Sequence, residues 1–190
     1  MAITKKVFEV NSASFDRSNK KLSFETGKMA VQADCSLKVQ LQDNVLLCST
    51  VMEKNPKSGM DFLPLMIDFR DSYSAAGRIG GAAYRRREGR TSEQAILYCR
   101  LTDRALRPMF PKGMINDVVV SISPLSLDHE MDLGVMTIVG CSLSIMASGI
   151  PFDGPVGAAQ IGYIDGKFII NPTKAELEKS LLNLLVSGKK

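Results

Sequence analysis

At 190 residues, 45% apolar, 23% charged and without tryptophan, the chain is long enough for one packed core and lacks the composition of a disordered or fibrous protein. Residues 135–150 are the candidate membrane span, but they contain Gly140, Gly149 and several serines and are too short and too polar to serve as one. The net charge of +4 is unevenly placed: residues 78–107 hold eight arginines and no lysine against three acids, so this segment carries the whole positive excess.

The N-terminus, Met-Ala-Ile-Thr-Lys-Lys, runs straight into strand-like sequence. It has neither a signal-peptide core nor an arginine-rich transit helix, so a cytoplasmic location is expected. Residues 5–53 read as antiparallel β-structure. Short alternating stretches at 7–10 and 21–25 are followed by longer ones at 34–40 and 45–52, joined through Gln42-Asp43-Asn44. Residues 54–60 form a loop with Pro56 and Gly59, and 61–69 read as a further strand. Residues 71–90 carry Gly77, Gly80, Gly81 and Gly89 and read as an exposed loop.

A helix then begins. Thr91 and Gln94 are placed as a capping box, Ile96, Leu97, Leu101 and Ala105 as the apolar stripe, and Pro108 as the stop. Residues 118–126 read as a strand. Residues 131–148 read as a helix whose small residues suit close packing on a sheet, with Gly149 as the residue after its end. Strands at 158–163 and 168–170 flank Asp165-Gly166, a strong hairpin signal. Thr173 and Glu176 predict a capping box on a short helix at 173–178, and 181–186 reads as a last strand. This order gives an α+β fold with helices layered on a sheet.

Cys35, Cys48, Cys99 and Cys141 sit among apolar neighbours without metal spacing and read as buried free thiols. His129, within Asp128-His129-Glu130, reads as a surface or helix-start residue. Asp61, Asp68 and Asp71 are near each other in sequence, but alternation does not gather them at one site. There is no Ser/His/Asp or Cys/His set, no HExxH and no GxxxxGK[ST] loop, so no catalytic or metal-ligating residue is assigned.

The chemistry concentrates in the loop from Gly77 to Arg90 and the helix after it. Glycines let backbone N–H groups approach an anion, and the guanidinium groups of Arg85, Arg86, Arg87 and Arg90 offer forked contacts to phosphate oxygens. Tyr84 offers a face for a base. Cations for a backbone beside an aromatic ring make the composition of a single-stranded nucleic-acid contact. Arg100, Arg104 and Arg107, spaced i, i+4, i+7, share one face of the following helix and extend the basic surface. Asp103 stands among them as a competing partner for Arg100 or Arg107.

Several stretches carry a family resemblance. They are Asp61-Phe62-Leu63-Pro64-Leu65, Ala75-Ala76-Gly77-Arg78-Ile79, and Arg86-Arg87-Glu88-Gly89-Arg90-Thr91-Ser92-Glu93. The segment from Arg100 to Gly113, RLTDRALRPMFPKG, is similar to RLIDRPIRPLFPEG of the polynucleotide phosphorylase family, and Ser148 to Gly157 and Asn171-Pro172-Thr173 follow in the same order. The chain thus resembles the first RNase PH-like core domain of that family over essentially its whole length. The resemblance implies an RNase PH-like (ribosomal protein S5 domain 2-like) fold. It also implies a phosphorolytic 3′-to-5′ exoribonuclease that runs in reverse as an RNA-polymerising nucleotidyltransferase, with inorganic phosphate as co-substrate and Mg²⁺ or Mn²⁺.

The family assembles as a ring-shaped homotrimer on single-stranded RNA, with degradosome-type partners. Its metal and acid/base carboxylates lie on a second core domain, which residues 1–190 do not include, nor do they include the KH and OB-type domains. The chain is expected to stop near the C-terminal strand of its own domain and to be inactive alone. The family's channel loop, Phe-Phe-Arg-Arg, corresponds here to Ala83-Tyr84-Arg85-Arg86-Arg87, with Ala83 in place of one aromatic and Gly80 in place of a proline. Two other readings stand beside this one: a non-catalytic RNA-binding or ring scaffold subunit of an exosome-like complex, and a structural domain related to ribosomal proteins.

Overall fold

A computed structural model describes residues 6–10, 22–56, 59–79 and 91–189. Strands β1 (Lys6–Val10), β2 (Leu22–Thr26), β3 (Cys35–Leu41) and β4 (Asn44–Met52) come first, followed by β5 (Leu65–Phe69). Helix α1 (Glu93–Leu106), strand β6 (Val118–Ser126) and helix α2 (Gly134–Ala147) make the middle. Strands β7 (Gly157–Ile164) and β8 (Lys167–Ile170), the short helix α3 (Lys174–Leu177) and strand β9 (Asn183–Gly188) end the described chain.

The first six strands form one sheet in the order β1-β2-β3-β4-β6-β5, and the last three form another, β8-β7-β9. Neighbours are antiparallel except β5 and β6, which run parallel from Leu65 opposite Val118 to Phe69 opposite Ile122. The parallel pair requires a crossover, and α1 supplies it. An α+β architecture is what the element order predicted, but the helices serve two sheets rather than one.

Alternation accounts for the large sheet. In β4 the buried residues Leu46, Cys48 and Thr50 alternate with Leu47, Ser49 and Val51, and in β6 Val118, Val120 and Ile122 do the same. The inward set meets Ile138, Cys141 and Ile145 of α2 and Leu106 of α1, all fully buried. Each such aliphatic side chain contributes about 1.5–3 kcal/mol by leaving water. Gly140 shows how close α2 lies to the sheet: a Cβ there would stand 2.8 Å from Val39 Cγ2 and 2.9 Å from Cys48 Sγ.

Polar atoms in this contact are matched. Thr50 Oγ1 and Ser144 Oγ are 2.8 Å apart, and Val156 N–H donates to Ser142 Oγ at 2.8 Å. The second bond fixes the chain where it leaves α2 for β7.

Local signals are met closely. Asp165 (φ 49°) and Gly166 (φ 75°) take the two left-handed positions of a tight hairpin between β7 and β8. Thr173 and Glu176 form a complete capping box on α3. Gly149 follows α2 at φ 78°. The cysteines carry no disulfide; Cys35, Cys48 and Cys141 are buried and Cys99 half-buried. Burial pushes the thiols of Cys35, Cys99 and Cys141 up, which keeps them protonated and unreactive.

Four expectations are corrected. The cap of α1 is Ser92, whose Oγ accepts from Ala95 N–H at 3.1 Å, and not Thr91. The buried stripe of α1 is Ala95, Tyr98, Thr102 and Leu106, whereas Ile96 is 48% and Leu97 56% exposed. Helix α2 begins at Gly134, three residues later than expected, because Asp132 Oδ1 accepts the Gly134 N–H at 2.7 Å and sets the start there. The strand expected over 61–69 is confined to Leu65–Phe69.

The small sheet presents one face to α2 and leaves the other outward. Register places Ile161, Tyr163, Phe168, Ile170, Leu184 and Val186 on the outward face, and Phe168, Ile170, Leu184 and Val186 are exposed. No described helix is long and apolar enough to cross a membrane.

Candidate nucleic-acid interface

The arginine-rich segment is carried between β5 and α1, and the described residues on both sides of it are firmly placed. After β5, Arg70 N–H donates to Ile122 O, extending the parallel pairing. A single turn of 3-10 helix at Ser74–Ala76 follows; Ala75 is buried and its carbonyl accepts from Leu127 N–H at 2.9 Å. Gly77 ends the turn at φ 66°. On the far side, Ser92 N–H donates to Asp71 Oδ2 at 3.0 Å. This bond joins the start of α1 directly to the residues that precede the segment. Tyr84, Arg85, Arg86, Arg87 and Arg90 lie outside the described residues.

Arg100 and Arg104 are exposed on successive turns of α1. Among the described residues neither side chain has an ion pair or a hydrogen bond. They form a ridge between two grooves of about 440 Å³ each. One groove runs to the small sheet past Tyr98, Asp132, Gln160 and Asn183; the other runs along Leu65, Met66 and Ile67 of β5. An unpaired guanidinium at an open surface keeps its full donor set for an incoming anion.

Arg107 is placed differently. Its Nε and Nη2 contact Asp103 at 3.0 and 2.6 Å, Nη1 donates to Leu63 O at 2.9 Å, and Nη2 reaches Leu65 O at 3.3 Å. The Asp103 carboxylate holds this guanidinium above its ordinary pKa. The competition foreseen for Asp103 thus falls to Arg107, and Arg100 is left open.

The ridge is backed by a polar node that sequence reading missed. Tyr98 OH donates to Asp132 Oδ2 at 3.2 Å and accepts from Leu133 N–H at 3.4 Å, which ties α1 to the start of α2. Burial, reinforced by the charge of Asp132, pushes the Tyr98 phenol up to about 12. A phenol raised in the folded state stabilises fully below its unfolded value near 10 and loses that contribution as pH rises towards 12. Thermal unfolding of the native chain and of Tyr98→Phe is therefore expected to converge between about pH 10 and 12, since only the native chain has this proton to lose. A constant gap across that range would remove Tyr98 as the cause.

Metal chemistry has little to rest on here. Among the described residues no group of three or more His, Cys, Asp or Glu side chains is placed to hold an ion. Asp68 is paired with Arg70 at 2.9 Å, and one oxygen of Asp71 is bound to Ser92 N–H. The residues described do not fit a divalent cation. His129 is exposed at φ 63° just before α2.

Comparison with known proteins agrees with this architecture. The model of the 3′ exoribonuclease family, domain 1, matches residues 18–151, and that of domain 2 matches residues 154–190. The junction falls between α2 and β7, where the large sheet gives way to the small one. A polyribonucleotide nucleotidyltransferase of Hyphomonas neptunium is 44% identical over 182 residues, 96% of this chain and 25% of that protein. One from Dehalococcoides mccartyi is 46% identical over 179 residues, 93% of this chain and 25% of that protein. The chain thus spans about a quarter of the length of these curated relatives. The crystal structure of rice (Oryza sativa) Rrp46 has the same fold, with a TM-score of 0.63 at 15% identity over 89% of this chain and 80% of that one. With one family model covering strands β2 to β6 of the large sheet and both helices that pack on it, and its companion taking up the small sheet, the chain belongs to the 3′ exoribonuclease (RNase PH) family.

Proposed function

We propose that the chain is the first core unit of a phosphate-dependent 3′-to-5′ exoribonuclease of the polyribonucleotide nucleotidyltransferase type, and that its part is to grip the RNA backbone. The observation that carries this is the pair Arg100 and Arg104, unpaired on an open ridge along α1, a helix whose start is bonded back to Asp71 across the arginine-rich segment. Arg85, Arg86, Arg87 and Arg90 would add phosphate contacts, and Tyr84 a base contact. Arg107, whose fork is engaged by Asp103 and two carbonyls, has the weaker claim to RNA.

In this reading inorganic phosphate attacks the terminal phosphodiester of a bound strand, the bond to the leaving 3′-oxygen breaks, and a nucleoside diphosphate departs. The acid/base and Mg²⁺-holding carboxylates are assigned to a second core domain. A cytoplasmic homotrimer with degradosome-type partners completes the proposal. The outward apolar face of the small sheet supports burial in a larger assembly.

The test follows from this division of labour. The 190-residue chain, incubated with single-stranded RNA, phosphate and Mg²⁺, is expected to bind the strand and release no nucleoside diphosphate. Robust phosphorolysis by this chain alone would overturn it.

A further inference from the structure

A second concavity lies where β5 ends and α1 begins. It encloses about 560 Å³, and its lining includes Asp68, Arg70, Asp71, Tyr73, Arg78 and Thr91. That volume is within the range of small-molecule sites, about 300–1,000 Å³. Its charges are not equivalent. Arg70 is tied to Asp68. Asp71 gives one carboxylate oxygen to Ser92 N–H and keeps the other. Arg78 uses its backbone N–H on Tyr73 O, and among the described residues its guanidinium has no partner. Tyr73 is 55% exposed and, unlike Tyr98 and Tyr163, stacks on no described ring.

We propose that this cavity binds one nucleotide unit, with the base on the face of Tyr73, the phosphate on Arg78 and a ribose hydroxyl donating to Asp71. An open aromatic face suits any base. An unpaired guanidinium suits a phosphate. A carboxylate oxygen with no donor suits a sugar hydroxyl. Inorganic phosphate alone is a poorer match, because Asp68 and Asp71 share the lining. A free nucleotide and the 3′-terminal residue of an RNA strand present the same chemistry. The site uses none of the α1 arginines, so it is tested apart from the α1 ridge.

Calorimetric titration of the 190-residue chain with adenosine 5′-monophosphate, adenosine and phosphate tests the free source. An oligoribonucleotide ending in 2-aminopurine, whose fluorescence reports stacking, tests the strand end. The expected result is saturable binding of the monophosphate, quenching of the terminal 2-aminopurine, or both. Tyr73→Ala is expected to weaken whichever signal appears by roughly tenfold or more, while Tyr73→Phe retains it. Arg78→Ala is expected to weaken the monophosphate about tenfold but adenosine less than about twofold. Both side chains are exposed, so neither substitution threatens the fold. Arg100→Ala with Arg104→Ala should leave these signals unchanged, which separates a failure of the ridge from a failure of this site. No binding below about 10 mM and no quenching, or signals indifferent to Tyr73→Ala and Arg78→Ala, would overturn the proposal.

Discussion

Binding of single-stranded RNA to this chain is expected to weaken by roughly 300-fold between about 50 and 200 mM monovalent salt, as follows from about six phosphate contacts at a slope near −0.7 each. The six are Arg85, Arg86, Arg87, Arg90, Arg100 and Arg104. Replacing Arg100 and Arg104 by alanine should reduce the slope by about 1.4, because two released counterions are lost. Arg107→Ala is the internal control. It should lower stability by about 1–2 kcal/mol, since its bonds to Asp103 and two carbonyls are partly exposed, and leave the slope unchanged. Fluorescence anisotropy against salt measures all three proteins. A slope unaltered in the double variant would mean that the α1 ridge does not meet RNA.

The second large effect is expected in the core. Gly140→Val should cost about 3 kcal/mol, at the upper end of what overpacking does. The neighbours cannot yield easily: Val39 and Cys48 are fully buried in adjacent strands, and the new Cβ alone would lie within 3 Å of both. Valine gains only a few tenths of a kcal/mol over glycine in helix propensity, so the clash decides the sign. Against a total stability of about 5–15 kcal/mol this is a large fraction, and it should appear as a lower urea midpoint. An unchanged midpoint would mean that α2 can shift away from the sheet at little cost.

What could be read from the sequence was mostly what is decided locally. The Asp165-Gly166 turn, the Thr173–Glu176 box and Gly149 each depend on a few neighbouring residues, and each is found where its residues predict. The small residues of α2 likewise announced close packing. The face of α1 did not follow hydrophobicity. Tyr98 and Thr102 are buried because their polar atoms find partners at Asp132, Leu133 and the Tyr98 carbonyl, while Ile96 and Leu97 point away from that contact. A stripe drawn from side-chain polarity alone cannot include bonds made to a helix some 35 residues later in the chain. The division into two sheets was hidden for a similar reason: alternation gives a strand its two faces but does not name its neighbours.

For the candidate site, the clustering of arginines was legible and their individual fates were not. Arg100, Arg104 and Arg107 look alike by spacing. Only the position of β5 beneath the end of α1 distinguishes the one that reaches two carbonyls from the two that do not.

That distinction has a consequence for how the molecule keeps to itself. Strand β5 lies at the rim of the large sheet, where a stray strand from another copy could add on and begin a fibre-like stack. The guanidinium of Arg107 already covers the first acceptors along that rim, at Leu63 and Leu65. A bulky cation held there by Asp103 denies an incoming backbone its first foothold, so the arginine with the weakest claim on RNA also works as a guard against templated aggregation.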